Sequence, residues 1–158
     1  FEHFVIEKAM EKALTNRVWL KSGGYIIIEQ TEALLTIDVN TGKYVWKWSF
    51  EDTILKINLE AAREIAYQLR LRNIGGLVVI DFIDMAYPQN IVRVYDEFVN
   101  ELKKDRAKCT LLPISDLGLL QMTRKRTRET LSKYLSETCS YCSGKGYLKS
   151  KRYLLWNY

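Results

Sequence analysis

Four short segments carry the side chains best suited to chemistry. In "LLTIDVNTG", Asp38 and Asn40 lie two apart, with Asp38 set between Ile37 and Val39. In "GLVVIDFIDM" an apolar run ends on Asp81, and Asp84 follows three residues later. Cys139 and Cys142 form a CxxC in "TCSYCSGKGYL", and Arg124, Lys125, Arg126 and Arg128 crowd into "MTRKRTR". A carboxylate among apolar neighbours is costly unless a cation or hydrogen-bond donors compensate it. Two that converge repel, so one holds its proton more tightly unless a divalent cation neutralises both. Mg²⁺ suits such a pair, because it takes one or two carboxylates, keeps several waters and fills its remaining positions with phosphate oxygens. Asn40 would add an oxygen ligand or orient a water. The plainer alternative is that each Asp caps a helix or ties a loop.

The CxxC spacing lets two thiolates approach one zinc ion, but structural zinc takes four ligands. The chain has no second CxxC, and its one histidine, His3, lies far off in sequence in a stretch that reads as surface helix. Either the pair binds no metal or a second molecule completes the site. A redox role would call for a thioredoxin-like context, which the flanking sequence lacks. Cys109, in the apolar "KCTLLPI", reads as packing. Three cysteines in all argue against a disulfide framework.

The net charge of +5 hides a division: residues 1–100 hold 11 Lys and Arg against 14 Asp and Glu, and residues 101–158 hold 13 against 5. The basic back half is the footprint expected for a polyanion, either nucleic acid or an anionic membrane, unless it is a solvated surface with no ligand. For nucleic acid, Arg124, Lys125, Arg126, Arg128 and Lys108 would meet the phosphate backbone, with binding that weakens in salt and selects little by sequence. Exposed aromatics would stack on bases. No run approaches the roughly 20 apolar residues of a membrane span, and charges break up the first fourteen residues, so an intracellular compartment is expected.

The elements must bring the acids together. Ile6, Ala9, Met10 and Ala13 predict a short amphipathic helix over residues 4–14. Two Ile- and Leu-rich runs follow Gly23 and Gly24 and are separated by "EQTE", which predicts two short strands with a tight connection. Asp38 and Asn40 then share one face of the second strand. After a loop around "GKYVWKWS", Ser49, Glu51 and Asp52 signal a helix start, and Ile54, Ile57, Ala61, Ile65 and Leu69 mark its apolar face, with Asn73, Gly75 and Gly76 as the stop. "GLVVIDFI" reads as a strand buried on both faces. Strand, helix, strand makes a βαβ unit with parallel strands, which places Asp38 and Asp81 near the carboxyl ends of two strands in one sheet, where α/β proteins build sites. Ile91, Val94, Tyr95, Phe98 and Leu102 predict another helix, and "KCTLLPI" and "LGLLQMTRKR" two more strands.

"LKSGGYIIIEQTEALLTIDVNTG", "NLEAAREIAYQLRLRNIGGLVVIDFIDM" and "LGLLQMTRKR" together resemble the nuclease core of the ribonuclease E/G family, bacterial and organellar enzymes that cut single-stranded RNA internally. The match runs in order from about Val18 to Gly146. It implies an α/β fold, a mixed sheet flanked by helices in a DNase I-like nuclease core over residues 1–136, then a CxxC zinc-link over 137–148 and a tail over 149–158. It also implies that Asp38, Asn40 and Asp81 hold a catalytic Mg²⁺, and that hydrolysis leaves 5′ phosphate and 3′ hydroxyl ends. Asp84, three residues beyond Asp81, would face away in an extended strand and is expected to be structural. Cys139 and Cys142 would share one Zn²⁺ with the same pair of a second chain, making a homodimer, although the family's usual proline after the first cysteine is here Ser140. The setting implied is a bacterial cytoplasm or an organelle matrix. Full enzymes of the family carry an oligonucleotide-binding barrel and a 5′-monophosphate sensor ahead of the core. Both are expected to be missing here, so a weak nuclease core is expected, with a non-catalytic RNA-binding or scaffolding subunit of a larger assembly as the alternative.

Overall fold

The computed structural model describes residues 2–42 and 50–155. The loop expected around "GKYVWKWS", with Ser49, lies outside the described residues. The elements are α1 (Glu2–Leu14), β1 (Arg17–Trp19), β2 (Tyr25–Gln30), β3 (Leu35–Asn40), α2 (Phe50–Leu71), β4 (Gly76–Asp81), α3 (Pro88–Leu102), β5 (Cys109–Leu111), β6 (Leu119–Arg124), α4 (Leu131–Leu135) and α5 (Lys151–Leu155). The strands form one six-stranded mixed sheet in the order β1-β2-β3-β4-β6-β5. Only β3 and β4, joined by α2, are parallel, as a βαβ unit requires.

Alternation along the strands sends one set of side chains into the core: Ile26 and Ile28, Leu35, Ile37 and Val39, Val78 and Ile80, Leu120 and Met122. The stripe expected on α2 meets this set, and Ile54, Ile57, Ala61, Ile65 and Leu69 are each buried. Val94, Phe98 and Leu102 of α3 complete the layer, and the ring of Phe98 stands edge-on to Phe82 with centroids 6.5 Å apart. Removing any one of the buried Ile or Leu side chains here would cost about 2–5 kcal/mol.

The sheet's other face is not covered in the same way. Leu77 is 42% exposed and Val79 half-buried, so β4 is buried on one face and not on both. That open face presents Asp38, Asp81, Gln121 and Thr123. The first helix forms where expected, but of its apolar positions only Ala13 is buried, and Ile6 and Met10 remain exposed. Strand β1 is an edge strand that the sequence pattern did not announce. Among the described residues no helix is long and apolar enough to cross a membrane.

Candidate active site

Parallel pairing of β3 and β4 sets Asp38 directly opposite Asp81, the last pair of a register that runs Leu35 to Val78, Thr36 to Val79 and Ile37 to Ile80. Paired residues share a face, so both carboxylates stand on the open face at the carboxyl ends of neighbouring strands, whose axes lie about 4.8 Å apart. Asn40, two residues on, uses Nδ2 to donate 2.8 Å to Asp38 Oδ2, which fixes that carboxylate. Partial burial raises the Asp81 pKa above the ordinary carboxylate value, and the charges of Asp38 and then Asp84 push it further. No Lys, Arg or His ion pair to Asp38, Asp81 or Asp84 occurs among the described residues.

The influence of Asp84 corrects the expectation that it faces away. Strand β4 ends at Asp81, so alternation no longer governs the residues after it. The chain bends instead, bringing Asp84 beside the turn into β6, where a Cβ on Gly118 would lie 3.1 Å from Asp84 Oδ1. Two groups of α2 hold this bend. Asn58, fully buried, donates Nδ2 to the Ile83 carbonyl at 2.8 Å and accepts from the Ile83 N–H at 3.1 Å. Glu51 accepts from the N–H groups of Ala86 (3.1 Å) and Tyr87 (3.3 Å) and from Asn90 Nδ2 (3.0 Å), and the Asn90 bond contributes most to lowering its pKa. Sequence reasoning took Glu51 only as a helix-start signal and missed Asn58. Asn58 had a signal, since it is a polar residue among Ile54, Ile57, Ala61 and Ala62 on the apolar stripe, where burial requires partners.

The basic run stands elsewhere. Strand β6 is antiparallel to β4 and pairs Leu119 with Asp81 and Arg124 with Gly76. Arg124 therefore lies five residues, or about 17 Å, from the acids. It is also not a surface cation. Its guanidinium is 5% exposed, bonds Asp105 from Nε (2.7 Å) and Nη2 (3.0 Å), and donates Nη1 to the Ile74 carbonyl at 2.7 Å. Arg124 is thus withdrawn from the set expected to meet phosphate, because its donors are spent inside the fold. Lys108, Lys125, Arg126 and Arg128 are exposed. Lys125 N–H donates to the Lys108 carbonyl at 2.9 Å, so these two flank each other at the same edge. Arg126 lies against Gly75, where a Cβ would come within 2.5 Å of its Cγ.

The two thiols of the CxxC lie in one turn near the carboxyl end of the described residues. Cys139 is exposed, and hydrogen bonds from the Cys142 and Tyr141 amides and then the Cys142 side chain lower its pKa towards thiolate. Gly146 N–H points at Cys142 Sγ, 3.3 Å away, and Ser143, Gly144 and Gly146 turn the chain through positive φ. Cys109 is remote on β5, and burial raises its pKa, so it stays a thiol. Among the described residues no three His, Cys, Asp or Glu side chains converge as a metal site. The acid pair with Asn40 therefore fits a cation that keeps waters, as Mg²⁺ does, and the thiol pair fits zinc only with ligands from outside.

The frame is that of a mixed α/β protein, an open sheet with two carboxylates side by side at the ends of its parallel strands. The profile of the ribonuclease E/G family matches residues 1–127, and the chain belongs to that family. Over 150 residues it is 48% identical to ribonuclease G of Haemophilus influenzae, a stretch covering 95% of this chain and 30% of that protein. For ribonuclease G of Escherichia coli K12 the identity is 47%, over 95% of this chain and 31% of the relative. For ribonuclease E of a Nostoc species it is 45%, over 92% and 21%. The chain thus spans less than a third of the length of these curated relatives.

Proposed function

We propose that this chain is the core of a magnesium-dependent endoribonuclease that hydrolyses single-stranded RNA to 5′ phosphate and 3′ hydroxyl ends, in RNA processing or decay. The observation that carries the reading is the register of Asp38 against Asp81, with the Asp81 pKa raised and no cationic side chain paired to either among the described residues. Structural ion networks neutralise their acids, whereas a site that leaves them in excess is matched to a ligand cation.

In this reading Asp38 and Asp81 hold the ion, and Asn40 fixes the Asp38 carboxylate through Nδ2 while its carbonyl oxygen serves as a further donor or orients water. When bound, Mg²⁺ supplies Lewis-acid stabilisation of a phosphodiester and lowers the pKa of a water ligand. Asn58 and Glu51 keep the Asp81–Asp84 segment in place from the helix behind it. The open face gives an extended strand access to both acids. Bacterial relatives support a bacterial cytoplasm as the setting. The thiol pair supports a dimer in which two chains share one Zn²⁺, and the zinc content of the purified chain, one ion per two chains against none, decides that point.

The test is incubation with a labelled single-stranded RNA with and without Mg²⁺, beside Asp38→Ala and Asp81→Ala. Cleavage that needs Mg²⁺ and falls at least about a hundredfold in each variant is expected, since each removes charge from the reacting centre. Equal cleavage by both variants would remove the acids from the chemistry.

A further inference from the structure

The edge of the open face beside Asn40 carries a group that the cation site does not use. Arg17 and Trp19 stand on β1 and Tyr25 on β2, and the registers link them to the acids in two rows. Trp19 pairs with Tyr25 and Tyr25 with Asn40, while Arg17 pairs with Ile27, Ile27 with Asp38 and Asp38 with Asp81. Two strand spacings, about 10 Å, separate Arg17 and Trp19 from the Asp38 and Asn40 strand, and one spacing, about 5 Å, separates Tyr25 from it. The Trp19 and Tyr25 rings meet edge-on at 5.2 Å, and the Arg17 guanidinium lies over both, 4.6 Å from the Tyr25 centroid and 5.8 Å from that of Trp19.

These residues border a cavity of about 640 Å³ whose lining includes Asn40. Gly23 and Gly42 also line it. A Cβ on Gly42 would come 2.3 Å from the Gly23 carbonyl oxygen and 3.6 Å from Gly24 Cα, so the two turns touch main chain to main chain beside the cavity. Trp19 is 62% exposed, which is costly for so large an apolar surface if it serves packing alone. Arg17 makes no ion pair to a carboxylate among the described residues.

We propose that this cavity is a nucleotide subsite, in which the base next to the scissile phosphate stacks on Trp19 while Arg17 meets a flanking phosphate. The inference rests on the RNA-cleaving reading above and assigns to it the residues that seat the substrate. A flat ring beside a guanidinium accepts any base through its π-face and any nucleotide through its charge, which suits a strand bound with little sequence choice. Continuity with the acid pair argues for the occupant, because Asn40, one of the residues that line the cavity, is bonded to Asp38.

The test uses the 158-residue chain carrying Asp81→Asn, so that nothing is cut, and reads fluorescence anisotropy of an unstructured labelled oligoribonucleotide. Trp19→Ala should weaken binding by about tenfold, the usual loss for one base stack, and Trp19→Phe should restore most of it. An abasic residue walked along the oligonucleotide should cost the same tenfold at one position with Trp19 present and nothing further with Trp19→Ala. If Trp19→Ala lowers the melting temperature, Trp19→Leu, which keeps the apolar bulk without the ring, is read in its place. Equal affinity of parent and variant, or an abasic penalty that is the same in both, overturns the subsite. The chain with Asp81 intact separates the two readings. Cleavage without the Trp19 coupling leaves the enzyme reading and removes the subsite, the coupling without cleavage does the reverse, and failure of the parent to bind RNA removes both.

Discussion

At the carboxyl end of β4, Asp81 faces Asp38 and feels Asp84, and burial together with those charges holds its pKa up. Beyond the amino end of the same strand, where Arg124 lies about 17 Å from the acids, a carboxylate with a buried side chain is shifted the opposite way. Burial alone would raise the pKa of Asp105, but the Arg124 hydrogen bonds, then that of the Ala107 N–H, and the charges of Arg124 and Arg70 bring it below its ordinary value. One edge of the sheet thus leaves like charges unbalanced, and the other closes its charge within the fold. The balanced pair ties β6 to the segment before β5 and to the Ile74 carbonyl ahead of β4, whereas the unbalanced pair ties nothing and, in the reading proposed above, is where a cation would sit.

The largest effect expected follows from breaking the balanced edge. Arg124→Ala leaves Asp105 buried without its partner and should cost about 3–5 kcal/mol of unfolding free energy, whereas Asp81→Ala, at an exposed position, should change stability by no more than about 0.5 kcal/mol. Urea denaturation of the two variants checks this, and equal losses would mean that the acid edge also supports the fold. A smaller effect lies in the pH dependence. Because the Asp105 pKa is depressed in the folded chain, the unfolded chain binds more protons between that value and the unfolded value of about 3.9. Its contribution is therefore full above the unfolded pKa and is lost as pH falls through the folded one. Asp105→Asn should be less stable at neutral pH and lose less of its stability on acidification over that window. A parallel fall in both proteins would assign the acid limb to other carboxylates.

The βαβ unit and its neighbours were legible because their patterns are long: the α2 stripe runs from Ile54 to Leu69, and the β2 and β3 runs alternate cleanly into the core. The placement of Asp38 against Asp81 followed from that topology. Strand β1, three residues long, is too short to show a period. The apolar run of β4 looks the same whether one face is covered or both, and only the packing shows Leu77 exposed. Periodicity made α1 a helix but carries no information about what lies against it. Arg124 was grouped with its neighbours by adjacency, although alternation from Leu120 and Met122 already placed it on the buried face of β6. Its partner, Asp105, is nineteen residues away and reaches it because β5 and β6 pair Cys109 with Arg124. Asp84 was misplaced because the period-two rule was carried past the end of its strand.

The finest test asks whether RNA that enters at the acidic edge also reaches the basic one. Lys108, Lys125 and Arg128 are exposed there, while Arg124 is engaged internally, so the run separates into members that can and cannot meet phosphate. Each true contact contributes about 0.7 to the slope of log affinity against log salt for a single strand. In the Asp81→Asn chain, Lys108→Ala, Lys125→Ala and Arg128→Ala should each lower the slope by about that amount, with affinity falling alike for every sequence. Arg124→Gln, although destabilising, should leave the slope of the folded protein unchanged, since it removes a charge that Asp105 already offsets. Oligonucleotide length sharpens the result. A strand too short to span from Asp81 to Gly76 cannot touch both edges, so the lysine substitutions should matter for a long oligonucleotide and vanish for a short one seated at the acids. Anisotropy titrations over a salt series measure both. Unchanged slopes with the long strand would take the basic edge out of the RNA path and leave it a solvated surface, whereas equal losses with long and short strands would place the scissile phosphate nearer the lysines than the acids.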